Sequence, residues 1–297
     1  MPVRTPAGPD LRDARRSGHE TGGDTIANAL GAAAERLGPR IESPRMEAEV
    51  LLAHVLDAPR SGFRAWPERI VPAAVLEPFQ QLVEQRMVGV PVAYLTGARE
   101  FWSIHFEVND LVLIPRHETE RLVEVALDTL PQNTQQTVAD AGTGCGAIAV
   151  SLARERSACR IIATDVSRHA LTVAKRNSLR TGTRNVSFMA GHWLAPIGVR
   201  CIDVVISNPP YIAERDPHLW RGDLRYEPRI ALAAGDDGLD AIRELIDDAR
   251  RCLRPGGHLL FEHGFDQGEA ARKLLTVAGY SAIVTHEDYA GQERVTQ

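Results

Sequence analysis

Cysteine and lysine are scarce in this 297-residue chain, and long apolar runs are missing. The four cysteines, Cys145, Cys159, Cys201 and Cys252, form no C-x-x-C pair or similar spacing, so no metal site is expected. Without a secretory signal they read as free thiols of a reducing cytosol, not as a disulfide framework. No stretch nears the roughly 20 apolar residues that span a bilayer, which excludes a helical membrane protein and points to the cytoplasm. Positive charge is also lacking: 34 Lys and Arg stand against 39 Asp and Glu, a net charge of −5. Proteins that grip a nucleic-acid backbone carry a positive field, so direct nucleic-acid binding is not expected. The basic residues are nearly all arginine; Lys175 and Lys273 are the only lysines.

An apolar share of 44% and a charged share of 25% are ordinary for a globular protein, and the length suits one large domain plus a smaller one. Residues 1–23, rich in Pro, Gly, Arg and Asp, predict a disordered leader. Asp24 is the expected N-cap of a helix with Ile26, Leu30, Ala33 and Leu37 on one face. Ser43-Pro44 opens a second helix through Leu56, and a third is expected from Ala73 to Met87. These make a helical domain over 24–90, which reads equally as a packing module or as a substrate-docking module. A linker over 91–116 follows. In it Phe101–Val108 alternates like a strand, Asn109-Asp110 supplies a turn and Leu111–Ile114 returns, predicting a β-hairpin. From Glu118 helices and strands alternate to the C-terminus, predicting a mostly parallel sheet over 117–297.

The segment Asp140-Ala141-Gly142-Thr143-Gly144-Cys145-Gly146 joins the first strand of that sheet to a helix. Glycines at alternate positions let the backbone turn tightly and approach a ligand, and the helix N-terminus behind them offers free N–H groups. The spacing is not G-x-G-x-x-G, and no Lys-Ser/Thr ending follows. The carboxylate of Asp140 suits an amino acid's ammonium group and would repel a pyrophosphate. Asp165, closing the next strand, is placed to accept ribose hydroxyl protons. Together Asp140, Gly142, Thr143, Gly144, Gly146 and Asp165 read as an S-adenosylmethionine site. Cys145 reads as a small filler, because no cationic partner lowers its pKa.

Asn208-Pro209-Pro210-Tyr211 ends the fourth strand, at the edge of the sheet where ligands of open α/β folds sit. An amide nitrogen is a poor nucleophile because its lone pair is delocalised. Orienting the NH2 group helps more than a strong base does. Asn208 offers a side-chain oxygen to one N–H, the Pro209 carbonyl takes the other, the prolines stiffen both, and Tyr211 forms a flat wall. Positive charge growing on the nitrogen is stabilised by these dipoles.

At these residues the chain resembles the HemK-type (PrmC-type) protein-(glutamine-N5) methyltransferases that modify peptide chain release factors. The resemblance runs from about Ile26 to the C-terminus. It takes in Ser43-Pro44-Arg45, Pro91–Gly97, Arg99–Trp102, Leu113–Arg116, Asp140–Gly146, Asn208–Tyr211, Tyr226-Glu227-Pro228, Glu262-His263-Gly264, Gln267-Gly268 and Glu293–Thr296. It implies a class I S-adenosylmethionine-dependent methyltransferase: a seven-stranded, mostly parallel α/β sheet with a small helical N-terminal domain and a linking β-hairpin. It implies as substrate the glutamine of a release factor's Gly-Gly-Gln loop, held by Asn208 and Pro209. It places Pro210, Tyr211, Phe101, Trp102 and the Arg116–Glu120 stretch around that substrate, and a monomer is expected. The chain departs from the family at His192-Trp193, which the resemblance places beside the cofactor's adenine and where an acid is usual, and at His117, where proline is common. Its last strand is also short.

Two other readings keep the chemistry but change the acceptor, to an exocyclic amine of a nucleic-acid base or to a small-molecule amide. The negative net charge speaks against the first of these. A non-catalytic scaffold would be expected to lose Asn208 or the glycines, and both are present.

Overall fold

A computed structural model of the protein describes residues 24–38 and 41–297. The leader expected over 1–23 lies outside the described residues. Two compact units divide between Thr96 and Gly97.

The first unit is helical: α1 (Ile26–Leu37), α2 (Pro44–Leu56), α3 (Ser61–Ala65), α4 (Ala73–Met87) and α5 (Val92–Thr96). Leu30, Leu51, Leu52, Phe79 and Val83 fill its core. Burial of such side chains stabilises by about 1.5–3 kcal/mol each. Pro44 sits at the start of α2, where its missing N–H has no intrahelical partner to lose. The N-cap of α1 is Thr25, not Asp24. Thr25 is the extended residue next to the first helical turn, and its Oγ1 accepts from the Asn28 N–H at 3.1 Å. Asp24 accepts instead from the Thr25 N–H. The short helices α3 and α5 are not foreseen by the sequence, since one turn gives no readable period.

The second unit opens with a two-stranded hairpin, β1 (Ala98–Phe101) and β2 (Ile104–Glu107). Its turn is Trp102-Ser103, not Asn109-Asp110, and Leu111–Ile114 is not a strand. Both turn residues have positive φ, 52° and 53°, a conformation that non-glycine residues adopt at a cost. Distant side chains offset it: the Trp102 N–H donates to Glu120 at 2.8 Å, and its indole N–H to Glu155 at 3.1 Å. Asn109 makes a local turn by accepting from the Leu111 N–H.

Then follow α6 (Thr119–Thr129), β3 (Thr137–Ala141), α7 (Ala147–Glu155), β4 (Arg160–Asp165), α8 (Arg168–Thr181), β5 (Val186–Ala190) and β6 (Ile202–Ser207). The rest comprises α9 (Asp240–Cys252), β7 (Leu253–Glu262), α10 (Gly268–Val277), β8 (Thr285–Glu287) and β9 (Glu293–Thr296). Strand order is β5-β4-β3-β6-β7-β9-β8, with β9 antiparallel to both of its neighbours. Ala139, Ala141, Val205, Leu259 and Phe261 pack on α9 and α10. Asp140, of opposite parity, meets α7 on the other face. Strand order reverses between β3 and β6, so their carboxyl ends flank the crevice where ligands of such sheets bind. The glycine loop leaves β3 and Asn208 follows β6.

Candidate active site

Three backbone reversals build the floor of the crevice. Gly142, Gly144 and Gly146 have φ of 75°, 56° and 86°, angles that favour glycine. Space matters most at Gly146: a Cβ there would lie 3.0 Å from the Ala174 Cβ of α8. A Cβ on Gly142 would meet the Trp193 ring at 3.3 Å. The Gly142 and Thr143 N–H groups both donate to the Thr164 carbonyl at 2.9 Å. Asp165 at the end of β4 braces the same loop, accepting from the Gly144 N–H at 2.9 Å and the Ser167 N–H at 2.8 Å. Burial raises its pKa, and those N–H groups oppose the shift.

Asp140 stands behind the loop. It is fully buried, and one carboxylate oxygen accepts from the Thr143 hydroxyl at 2.6 Å and the Ala149 N–H at 3.2 Å. Its other oxygen has no hydrogen-bond partner among the described residues. Burial pushes its pKa up to about 7, partly opposed by those two donors. Burial likewise pushes the Cys145 thiol up to about 12, which suits a filler and not a nucleophile.

Across the crevice, the Asn208 side-chain N–H donates to the Thr119 hydroxyl at 3.0 Å, and its Oδ1 accepts no hydrogen bond from the described residues. The Pro209 carbonyl is similarly unengaged among them. Tyr211 donates its hydroxyl to Glu262 at 3.1 Å. Burial, first, and the Glu262 charge hold its proton on. Gln267 ties this corner down, donating to the Tyr211 carbonyl at 3.0 Å while accepting from the Gly264 N–H at 2.9 Å. Ser207 bonds the Ala141 carbonyl at 2.7 Å, joining the ends of β6 and β3.

At the mouth, Arg116 pairs with the buried Glu227, which also accepts from the Ile114 N–H at 3.0 Å. Burial raises the Glu227 pKa, and the Arg116 charge opposes that. The exposed His192 lies 3.5 Å from Glu244, which also takes the Trp193 indole N–H at 2.8 Å. The cleft holds about 1050 Å³ of empty space, counted with its opening. Of the residues singled out in the sequence, Gly142, Thr143, Gly144, Asp165, His192, Trp193, Asn208, Pro210 and Arg116 line it. Asp140, Gly146, Pro209 and Tyr211 adjoin these residues in the chain or the fold but are not part of the lining. Phe101 is buried in the hairpin with its edge on Phe106.

Several residues with a place here are given no individual role by the sequence. Thr119 accepts from the Asn208 side chain, and Glu262 accepts from the Tyr211 hydroxyl. Asn177 on α8 holds both the hairpin and the glycine loop, bonding the Glu107 N–H and carbonyl and the Cys145 carbonyl at 2.7–3.0 Å. Glu227 and Gln267 belong to segments of the family resemblance, which gives them no role of their own.

The chain is similar in sequence to known proteins over most of its length. A family model described as the PrmC N-terminal domain matches residues 28–97, and one described as the methyltransferase small domain matches 119–220. The release factor glutamine methyltransferase of Xylella fastidiosa (strain Temecula1) is 48% identical over 267 residues, covering 90% of this chain and 95% of the relative. That of Vibrio cholerae is 44% identical over 275 residues, with 92% and 96% covered. The Escherichia coli K12 protein of the same name is 43% identical over 255 residues, with 86% and 92% covered.

Proposed function

Because the chain belongs to the release factor glutamine methyltransferase family, we propose that this cleft transfers a methyl group from S-adenosylmethionine to the side-chain N5 of a release factor glutamine, the one in the Gly-Gly-Gln loop. The observation that carries the reading is the open Asn208 Oδ1, beside the unengaged Pro209 carbonyl, at the switch point that also holds the glycine loop.

The residues present fit the cofactor. Positive-φ glycines bring bare backbone to the cleft, Asp165 lines it beside them, and Cys145, Ile148, Val166 and Ala170 supply an apolar wall for a flat base. The volume is enough for a nucleoside joined to an amino acid. Gly142, Thr143, Gly144, Gly146 and Asp165 would hold the cofactor, with His192 and Trp193 closing one side. Asp140 acts from behind by fixing Thr143 and the start of α7. The bound cofactor supplies an electrophilic methyl group.

Asn208 and Pro209 provide the rest. Each presents an acceptor, so an amide NH2 gives one N–H to each and its lone pair is turned away from both. The acceptors are fixed before substrate arrives, so little reorganisation is left for the reaction itself. Pro210 and Arg116 line the entry for the peptide, Tyr211 stiffens the corner through Glu262, and Phe101 supports the hairpin. The helical unit would dock the rest of the release factor. The protein acts as a monomer in the cytoplasm, where release factors work. Its net charge gives no footprint for nucleic acid, and the relatives' substrate is a protein, which disfavours a base amine or a small amide.

The test is methyl transfer from labelled S-adenosylmethionine to a purified release factor, beside a version with the loop glutamine changed to alanine. Label that requires the glutamine supports the reading. No label on either protein, with cofactor binding intact, would refute it.

A further inference from the structure

Between β6 and α9 the chain makes a long excursion. Residues 213–232 hold no strand and no α-helix, only short 3-10 turns at Pro217–Trp220, Gly222–Tyr226 and Arg229–Ala231. The two ends of the excursion meet. The Ile212 N–H donates to the Leu232 carbonyl and the Ala234 N–H to the Ile212 carbonyl, each at 2.9 Å. Three side chains of the excursion are buried: Leu219, Leu232 and Glu227. Two apolar side chains are little to hold a loop of this length against opening. The third is a carboxylate, which a protein interior tolerates only with partners.

Both oxygens of Glu227 go to one neighbouring stretch. Oε2 accepts from the Ile114 N–H at 3.0 Å, and Oε1 pairs with the Arg116 guanidinium. Leu113, Pro115 and Arg116 line the cleft from that stretch, and Pro228, Ile230 and Ala231 line it from the excursion. Glu227 itself is not part of the lining. We propose that Glu227 is a positioning residue for methyl transfer: it clamps the 213–232 loop to residues 114–116 and so holds two parts of the cleft wall in place for the release factor peptide, an inference that rests on the substrate proposed above. The same clamp fixes Arg116, whose guanidinium is drawn to Glu227 and presented at the mouth in one orientation. An apolar residue at 227 could be buried as well, but it would take the acceptor away from both the Ile114 N–H and the Arg116 charge.

The test compares Glu227→Gln and Glu227→Ala with the wild type, each in the full chain. Measured are kcat and KM for the release factor, melting temperature and backbone hydrogen exchange. Glutamine keeps the shape and one acceptor oxygen but not the charge; alanine removes both bonds. KM should rise about tenfold in the alanine variant and less in the glutamine one, while kcat at saturating substrate stays within about threefold because Asn208 and Pro209 are untouched. Exchange at the Ile114 amide and over residues 229–232 should rise in the same order. A merely structural role would lower the melting temperature and the active fraction, so that kcat fell with KM unchanged; that pattern overturns the clamp. Wild-type KM or wild-type exchange in the alanine variant overturns it too. If the alanine variant does not fold, Glu227→Gln decides by the same two readouts. If the wild type transfers no methyl group to the release factor, the substrate reading fails, while exchange still decides whether Glu227 clamps the loop.

Discussion

Gly146→Ala isolates the close approach on which the glycine loop depends. Gly146 has φ +86°, and an added Cβ would lie 3.0 Å from the Ala174 Cβ and 3.2 Å from its Cα. The second of these is backbone of α8 and cannot swing aside. Gly182, at the C-cap of α8, has a similar φ of +72°, with nothing within 4 Å of an added Cβ. Alanine at either position bears the left-handed penalty, about 1–2 kcal/mol. Only alanine at 146 also forces the loop and α8 apart, and overpacking of that kind costs about 1–3 kcal/mol. Thermal denaturation of the two variants should therefore differ by roughly 2–12 °C, at about 2–4 °C per kcal/mol for a domain of this size. Gly146→Ala should also weaken S-adenosylmethionine binding by calorimetry, whereas Gly182→Ala, far along α8, should bind near normally. Equal melting temperatures in the two variants would refute the argument that packing against Ala174, and not φ alone, requires glycine at 146.

Asn208→Ala should leave cofactor affinity near normal and lower kcat by about two orders of magnitude or more, as loss of a preorganised acceptor does; unchanged kcat would count against the mechanism. Asp140 should make stability depend on pH. Its folded pKa of about 7 lies above its ordinary value of 3.8, so its contribution is fully present below pH 3.8 and is lost as pH rises toward 7. Urea denaturation should then show a flatter pH dependence between 4 and 7 in Asp140→Asn than in wild type, and parallel curves would dismiss the idea. His263 has the opposite sense. It is buried between the Gly264 carbonyl and Thr296, and burial lowers its pKa below 6.5. Its unfolded form takes up a proton first as pH falls below 6.5, so His263→Gln should lessen the loss of stability on acidification. Asn177→Ala removes three bonds that join α8 to the hairpin and the glycine loop. It should lower the melting temperature by several degrees, consistent with about 1–3 kcal/mol for unsatisfied buried partners, and hydrogen exchange should rise at the Glu107 amide.

Local order along the chain determined the sheet unit. Alternating helical and strand periods from Glu118 onward, the glycines at 142, 144 and 146, and the Asn-Pro-Pro-Tyr corner after an apolar strand each sit within a few residues, where period and steric rules operate. That was enough to place Ala147 after a tight loop and Asn208 at a strand end, and so to put both at one edge of a parallel sheet. Tertiary structure decided what distant residues do to one another. Trp102-Ser103 turns the hairpin against its own backbone preference because Glu120 and Glu155 bond to it from elsewhere. Asp140 reads in sequence as a partner for a ligand's ammonium group, yet β3 carries its side chain to the α7 face, where Thr143 and Ala149 take it. Thr119 meets Asn208 across 89 positions of sequence. No period or spacing encodes such a bond; it exists only because α6 begins where β6 ends in the folded protein.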